Sequence, residues 1–229
     1  MGAIALIVGG YLLGALPFAV ALATASGIDP SEVGDIHIAL WHRVGKLQGA
    51  VAVVVDFAKG VFPPLVAFGF SMPIPVVVLS GVAAVVGQMW PPLRGHGMKG
   101  NSTGVGAVIT LLLLYEAYLP LLCVLLFVAG PALRGLALSS SRPERPSTGH
   151  PLSLVYPVVM LLGFVAAPLV CWLTAQPQGL TWGLVLILCA IVARRVSAGL
   201  LLDMSVGAGI SVILLRRLLF DERLTGRDW

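Results

Sequence analysis

Gly95-His96-Gly97-Met98-Lys99-Gly100, continued by Asn101-Ser102-Thr103-Gly104-Val105-Gly106, has two readings, and the choice between them decides the fold. The first six residues satisfy G-x-G-x-x-G, the fingerprint of a dinucleotide loop when a strand precedes it and a helix follows in a βαβ unit. Here the flanks are long apolar runs, Pro75 to Trp90 before and Val105 to Leu114 after. The stretch is therefore a polar turn between membrane segments. A Walker A loop is excluded because Gly-Asn, not Ser or Thr, follows the lysine. Asn101-Ser102-Thr103 matches the N-glycosylation pattern, which has meaning only on a secreted face.

The residues of this turn suit an anion. Glycine lets a backbone bend sharply and approach a ligand closely. Successive N–H groups and the start of a following helix form an anion-binding concavity. Lys99 adds a compact positive charge, and Ser102 and Thr103 add hydroxyls. Together these fit a phosphate held at a membrane surface. Composition alone fits an ordinary glycine-rich turn with one snorkelling lysine equally well.

Composition sets the class. Hydrophobic residues make up 58% and charged residues 10%, with mean hydropathy +0.99. Soluble domains carry roughly 25% charged residues. The fold expected is all-α, a polytopic integral membrane protein with about seven transmembrane helices and a C-terminal apolar extension. The net charge of +4 is scattered over short loops, which says little about nucleic acid and fits anionic lipid headgroups better, so membrane lipids and no nucleic acid are the expected partners. Cys123, Cys171 and Cys189 lie in apolar segments and are expected to be buried packing residues. No metal-ligand spacing is present, so neither a metal nor a cofactor is expected. Ala23-Thr24-Ala25 resembles a signal cleavage site, but the preceding apolar run is too long and carries no leading positive charge. It is expected to be the first span.

That span runs from about Ala3 to Ala25, with a small-xxx-small pair at Gly10 and Gly14 and a kink at Pro17. The polar segment Gly27 to Lys46 holds Asp35, His37, His42 and Arg43, and Asp35 is expected to cap a short helix. His37, His42 and His96 are candidates to carry a proton near neutral pH. The second span, about Leu47 to Phe70, contains Asp56 and Lys59, three residues apart and so on one helix face. Charges at that depth face the bundle interior in pairs. A structural ion pair and a substrate contact both fit.

The third span is expected over Ile74 to Leu93, and two antiparallel segments over Val105 to Leu133, interrupted near Tyr115 and Pro120. A flexible connection from Arg134 to His150 follows, then spans over Leu152 to Leu173 and Leu180 to Ala193, closed by Arg194-Arg195. Residues 1–195 form one membrane domain in this reading. Residues 196–229 form an extension, with Val196 to Leu215 re-entrant or interfacial and a basic tail after it. Arg43, Lys46, Arg94, Lys99, Arg134, Arg142, Arg145, Arg194 and Arg195 fall on one side, and the opposite loops hold no lysine or arginine. The basic side is then cytoplasmic and the N-terminus outside, as in a multi-pass protein of the cell's inner (plasma) membrane. No internal repeat of the transporter kind is present.

Several stretches resemble the bacterial acyl-phosphate:glycerol-3-phosphate acyltransferases of the PlsY type. Tyr11-Leu12-Leu13-Gly14-Ala15-Leu16-Pro17-Phe18 is similar to that family's Y-L-x-G-S-I-P-F, and Asp56-Phe57-Ala58-Lys59-Gly60 to its D-x-x-K-G. Gly97-Met98-Lys99-Gly100-Asn101-Ser102-Thr103 resembles its phosphate-binding G-G-K-G-V-A-T. The likeness runs in order from about Val8 to about Ser140. It implies a membrane acyltransferase for phospholipid synthesis. Such an enzyme moves a fatty acyl group from acyl phosphate to glycerol 3-phosphate, yielding lysophosphatidic acid.

On the matching positions the resemblance implies catalytic roles for Lys99 and Arg43. It implies substrate binding by Gly97, Gly100, Ser102, Thr103, His37, Asp56 and Lys59. The first motif departs from the family: Gly34 to Arg43 is shorter than S-G-N-I-G-A-T-N-x-x-R, leaving two registers, and the motif serine is absent. The third, H-R-E-N, falls near Arg194-Arg195-Val196-Ser197 without its His or Asn. The acceptor is therefore glycerol 3-phosphate or another hydroxyl compound. The alternatives are a catalytically impaired descendant that binds phosphate or lipid and, behind it, a small-solute transporter.

Overall fold

The computed structural model describes residues 1–30, 33, 35–92, 97–140, 151–205 and 209–221. Arg94, His96, Arg142 and Arg145, and the tail beyond Asp221, lie outside the described residues. The described residues form an all-helical integral membrane protein. Helix α1 (Gly2–Ala15) and helix α2 (Phe18–Ala25) make up the first apolar segment. Pro17 lacks an N–H and breaks the segment where the sequence placed the kink. A short helix α3 (Ile36–Ala39) and a π-helical turn (Leu40–Val44) lead into α4 (Lys46–Gly69). Then come α5 (Ile74–Met89), α6 (Asn101–Leu114), a single turn α7 (Tyr118–Leu121) and α8 (Val124–Ser140). The chain closes with α9 (Pro151–Leu173), α10 (Gln178–Ser197), α11 (Leu200–Met204) and α12 (Ile210–Phe220).

Four of these segments are long and apolar enough to cross a membrane, Gly2–Ala25, Lys46–Gly69, Val155–Leu173 and Gln178–Ser197. Three shorter apolar helices, Ile74–Met89, Asn101–Leu114 and Tyr118–Ala132, pack among them. The burial pattern is that of a protein solvated by lipid. Large apolar side chains such as Val54, Phe62, Leu125, Trp172 and Trp182 face outward, while Asp56, Lys59, Gln88 and Thr103 are buried. Polar groups turn inward because hydrocarbon offers them no hydrogen bonds.

Small residues bring the helices together. A Cβ on Gly14 of α1 would lie 2.0 Å from the Ala84 carbonyl oxygen of α5, and one on Gly60 of α4 would lie 1.9 Å from the Thr103 carbonyl oxygen of α6. Both crossings need a bare backbone on one side. The main core then fills from α5, α6, α9 and α10, with Leu111, Phe164, Leu184 and Ile187 fully buried or nearly so.

Four boundaries differ from the sequence expectations. The third span ends at Met89 rather than Leu93. Helix α8 continues through Arg134 to Ser140, because Leu133, Leu136, Ala137 and Leu138 are good helix formers. Helix α10 runs through Arg194-Arg195 to Ser197, since arginine at a helix C-terminus favours its dipole instead of stopping it. The last apolar piece contains α11 and α12 and runs to Phe220, past the expected Leu215. The cysteines divide as well: Cys123 and Cys171 are buried as expected, whereas Cys189 is exposed on α10, on a surface where lipid accepts a thiol.

Candidate functional site

Asp35 starts the site. Its carboxylate accepts hydrogen bonds from the His37 and Ile38 backbone N–H groups at 3.1 and 3.3 Å, capping α3 as its position in the sequence indicated. That turn aims His37 inward, where its Nε2 lies 3.0 Å from Asp56 Oδ2 and its Nδ1 3.6 Å from Asp35 Oδ1. Burial works against a charge on the imidazole, but hydrogen bonds and charges from Asp35 and Asp56 outweigh it. The His37 pKa rises from 6.5 to about 9, so the ring is a cation at neutral pH.

Asp56 and Lys59, one helical turn apart on α4, form a buried ion pair with Nζ 2.7 Å from Oδ1. The ammonium also donates to the Leu16 carbonyl at 2.5 Å and to Gln88 Oε1 at 3.1 Å. These three acceptors match the three donors a lysine carries. The Leu16 carbonyl is available because Pro17, at the break between α1 and α2, ends the first helix there. Thr103 Oγ1 donates to the Asp56 carbonyl at 2.7 Å, tying the start of α6 to α4. One polar network thus joins the first polar segment, the second span and the glycine-rich turn.

Residues 97–100 of that turn are held by other elements. The Met98 N–H donates to the Gln88 carbonyl at 3.0 Å. From α10, Arg194 donates to the Gly97 carbonyl and, through Nε, to the Met98 carbonyl at 3.3 Å. Gly97 sits against the Met89 backbone, where a Cβ would come within 1.8 Å of its carbonyl oxygen. Gly100 has φ +76°, the left-handed conformation that glycine adopts without strain. Directly after it begins α6, fourteen residues long and without a side-chain cap on its N-terminus. Such an end presents several N–H groups with no partner inside the helix, together with the positive pole of the helix dipole. Asn101 Oδ1 is buried there without a hydrogen-bond partner among the described residues.

Lys99 stands at the mouth of the turn, about a third exposed, and its Nζ lies 2.8 Å from Asp221 Oδ2 just beyond α12. Ser102 is half-buried on the first turn of α6. Arg43 is exposed on the π-helical turn, and among the described residues no hydrogen bond or ion pair joins it to the glycine-rich turn. His42 is exposed beside it. An apolar groove of about 480 Å³, walled by Leu13, Leu16, Phe18, Val55 and Phe62 and bordered by Lys59, opens between the break in the first segment and α4. Among the described residues no three His, Cys, Asp or Glu side chains gather as metal ligands would.

Three residues here, Gln88, Arg194 and Asp221, make contacts that sequence reasoning did not assign. Arg194 was read as the end of a span, as one of the basic-side residues and as the neighbourhood of the third family motif, with no contact assigned to it, and neither Gln88 nor Asp221 was weighed. The one available signal was position: Arg194 falls where the third family motif was expected.

Known proteins share the family and the fold of this chain. A family model described as glycerol-3-phosphate acyltransferase matches residues 4–203. A glycerol-3-phosphate acyltransferase of Aquifex aeolicus is 34% identical over 113 residues, covering 47% of this chain and 59% of the relative. One from Rubrobacter xylanophilus is 37% identical over 106 residues, covering 44% and 53%. The chain therefore spans little more than half the length of these curated relatives. The crystal structure of PlsY, an integral membrane glycerol 3-phosphate acyltransferase, in its glycerol 3-phosphate form superposes with TM-score 0.63 at 21% identity, covering 93% of this chain and 99% of that one. The lysophosphatidic acid form gives the same TM-score at 22% identity, covering 90% and 93%. The fold is shared over most of both chains.

Proposed function

The chain belongs to the glycerol-3-phosphate acyltransferase family, and on that premise we propose that it transfers a fatty acyl group from acyl phosphate to glycerol 3-phosphate. The single observation that supports this most is the glycine-rich turn. It is pinned through its carbonyls by Arg194, turned by the left-handed Gly100, and followed at once by the uncapped start of α6 with Lys99 beside it. In this reading the phosphate of acyl phosphate lies at that N-terminus, with Lys99, Gly97, Gly100, Ser102 and Thr103 around it. The acyl chain lies in the apolar groove beside Leu13 and Phe62. Arg43 supplies a second cation for the acceptor's phosphate.

The chemistry asks little of the protein beyond placement. A hydroxyl oxygen of glycerol 3-phosphate attacks the acyl carbonyl carbon, the new ester bond forms, and the bond from that carbon to the phosphate oxygen breaks. Phosphate leaves as the hydrogen phosphate dianion, carrying the hydroxyl proton. A mixed anhydride is already activated, so orientation and stabilisation of phosphate charge provide the rate. His37 is held as a cation between two carboxylates, which suits fixing Asp56 better than removing a proton. Asp56 and Lys59 then serve the substrate by holding the floor of the site. We place the turn at the cytoplasmic face of the inner (plasma) membrane, with the N-terminus outside and residues 196–229 as an extension on that face. The excess of Lys and Arg in the loops on that side supports the placement.

A second reading, a phosphate- or lipid-binding descendant without turnover, is favoured by the departures in the first and third motifs. Titration of the purified protein in detergent with a non-hydrolysable acyl phosphate analogue tests the site itself. Binding that is lost in Lys99→Ala supports both readings of the turn. Equal binding by Lys99→Ala removes both.

A further inference from the structure

The Lys99 ammonium is engaged by a carboxylate delivered from the far end of the chain. Asp221 Oδ2 lies 2.8 Å from Lys99 Nζ, with the two side chains 11% and 37% exposed. Asp221 is not on a loose tail. It follows α12 in a left-handed conformation, φ +53°, and its N–H donates to the Arg217 carbonyl at 3.0 Å. Arg217 in turn is fixed by Asp203, with Nε and a terminal nitrogen at 2.8 and 2.6 Å from Oδ2, and it donates to the Val196 and Ala198 carbonyls. Arg195 donates to the Leu218 carbonyl at 2.9 Å, fastening α12 to the end of α10. A clamped helix therefore holds a negative charge against Lys99, two residues before the uncapped start of α6.

We infer that Asp221 sets the anion affinity of the glycine-rich turn: its carboxylate competes with phosphate for Lys99, and a phosphate binds there only by displacing it or against its repulsion. This rests on the turn being a phosphate site, as proposed above. Two like charges a few ångströms apart near a protein surface lower affinity by roughly tenfold. The opposite role, a brace that orients Lys99 for its ligand, makes the opposite forecast, because loss of the carboxylate would then loosen the lysine and weaken binding. The electrostatic argument favours competition, since phosphate carries up to two negative charges and Lys99 is exposed enough to be reached from outside.

The test uses the full chain in detergent and inorganic phosphate as the probe, with dissociation constants from calorimetric titration. Asp221→Asn and Asp221→Gly both remove the charge, and both residues accept a left-handed backbone, so α12 keeps its end. The inference expects each to bind phosphate at least about fivefold more tightly than the parent chain. Lys99→Ala should lose binding, and adding Asp221→Asn to it should give no gain. Unchanged or weaker binding by both Asp221 variants, with Lys99→Ala still defective, overturns the inference and leaves the phosphate site standing. Full binding by Lys99→Ala overturns the phosphate site and the inference together.

Discussion

His37 Nε2 lies 3.0 Å from Asp56 Oδ2, so a histidine of the first polar segment closes a network of side chains from α4, α5 and α6. Asp56 is fully buried and would be a costly charge by itself. It is matched by Lys59 on one oxygen and by His37 on the other.

This arrangement gives stability a pH dependence of definite sign. The His37 pKa is raised from 6.5 to about 9, so its contribution is complete below about pH 6.5 and is lost as pH rises through about 9. Thermal midpoints in detergent should fall over that window. In His37→Gln, which keeps a hydrogen-bond donor but does not titrate, this component should be missing. An identical pH profile for the two proteins would show that His37 is not held as a cation.

Asp56 and Lys59 should behave as one unit. Removing either partner strands the other inside the membrane, typically at ~3–5 kcal/mol. Asp56→Asn and Lys59→Met should each destabilise more than the double variant does. Additive losses in denaturant unfolding would argue against the pairing.

The α4–α6 crossing leaves no room for a methyl group at Gly60, whose Cβ would lie 1.9 Å from the Thr103 carbonyl oxygen and 2.7 Å from the Ala107 nitrogen. Both are backbone atoms, so Gly60→Ala should force the helices apart and destabilise by ~1–3 kcal/mol. Since Thr103 ties the start of α6 to α4, phosphate binding should weaken as well. A Gly60→Ala protein as stable as its parent would contradict the crossing.

Arg194 should act on the turn without being its charge donor. Arg194→Gln removes the fork that holds the Gly97 and Met98 carbonyls. We expect weaker binding of acyl phosphate, about tenfold for the loss of one or two charge-assisted hydrogen bonds, with Arg194→Lys in between. Equal affinities across the three proteins would leave the turn held by its other contacts.

How far the sequence went is visible in these same residues. Asp56 and Lys59 were legible because a spacing of three on an apolar helix places two charges on one face. Asp35 was legible because a carboxylate before a helix start has one common use. Pro17, Gly10 and Gly14 were read from local rules, and the structure carries each out. Contacts between distant segments were not legible. Arg194 reaches a carbonyl 97 residues away, and Asp221 meets a lysine from beyond two further helices. No periodicity or motif encodes such pairs. They follow from how α10 and α12 pack, and a helix end marked by two arginines looks the same whether they face headgroups or a loop.

The central claim is that the turn around Lys99 handles the phosphate of an acyl phosphate during transfer. The most direct measurement is lysophosphatidic acid formation by the purified chain, supplied with acyl phosphate and glycerol 3-phosphate and compared with Lys99→Ala. The account predicts product from the parent chain and a loss of about a hundredfold or more in the variant, the scale on which removal of one transition-state charge partner is felt. Product formed equally well by Lys99→Ala would contradict it.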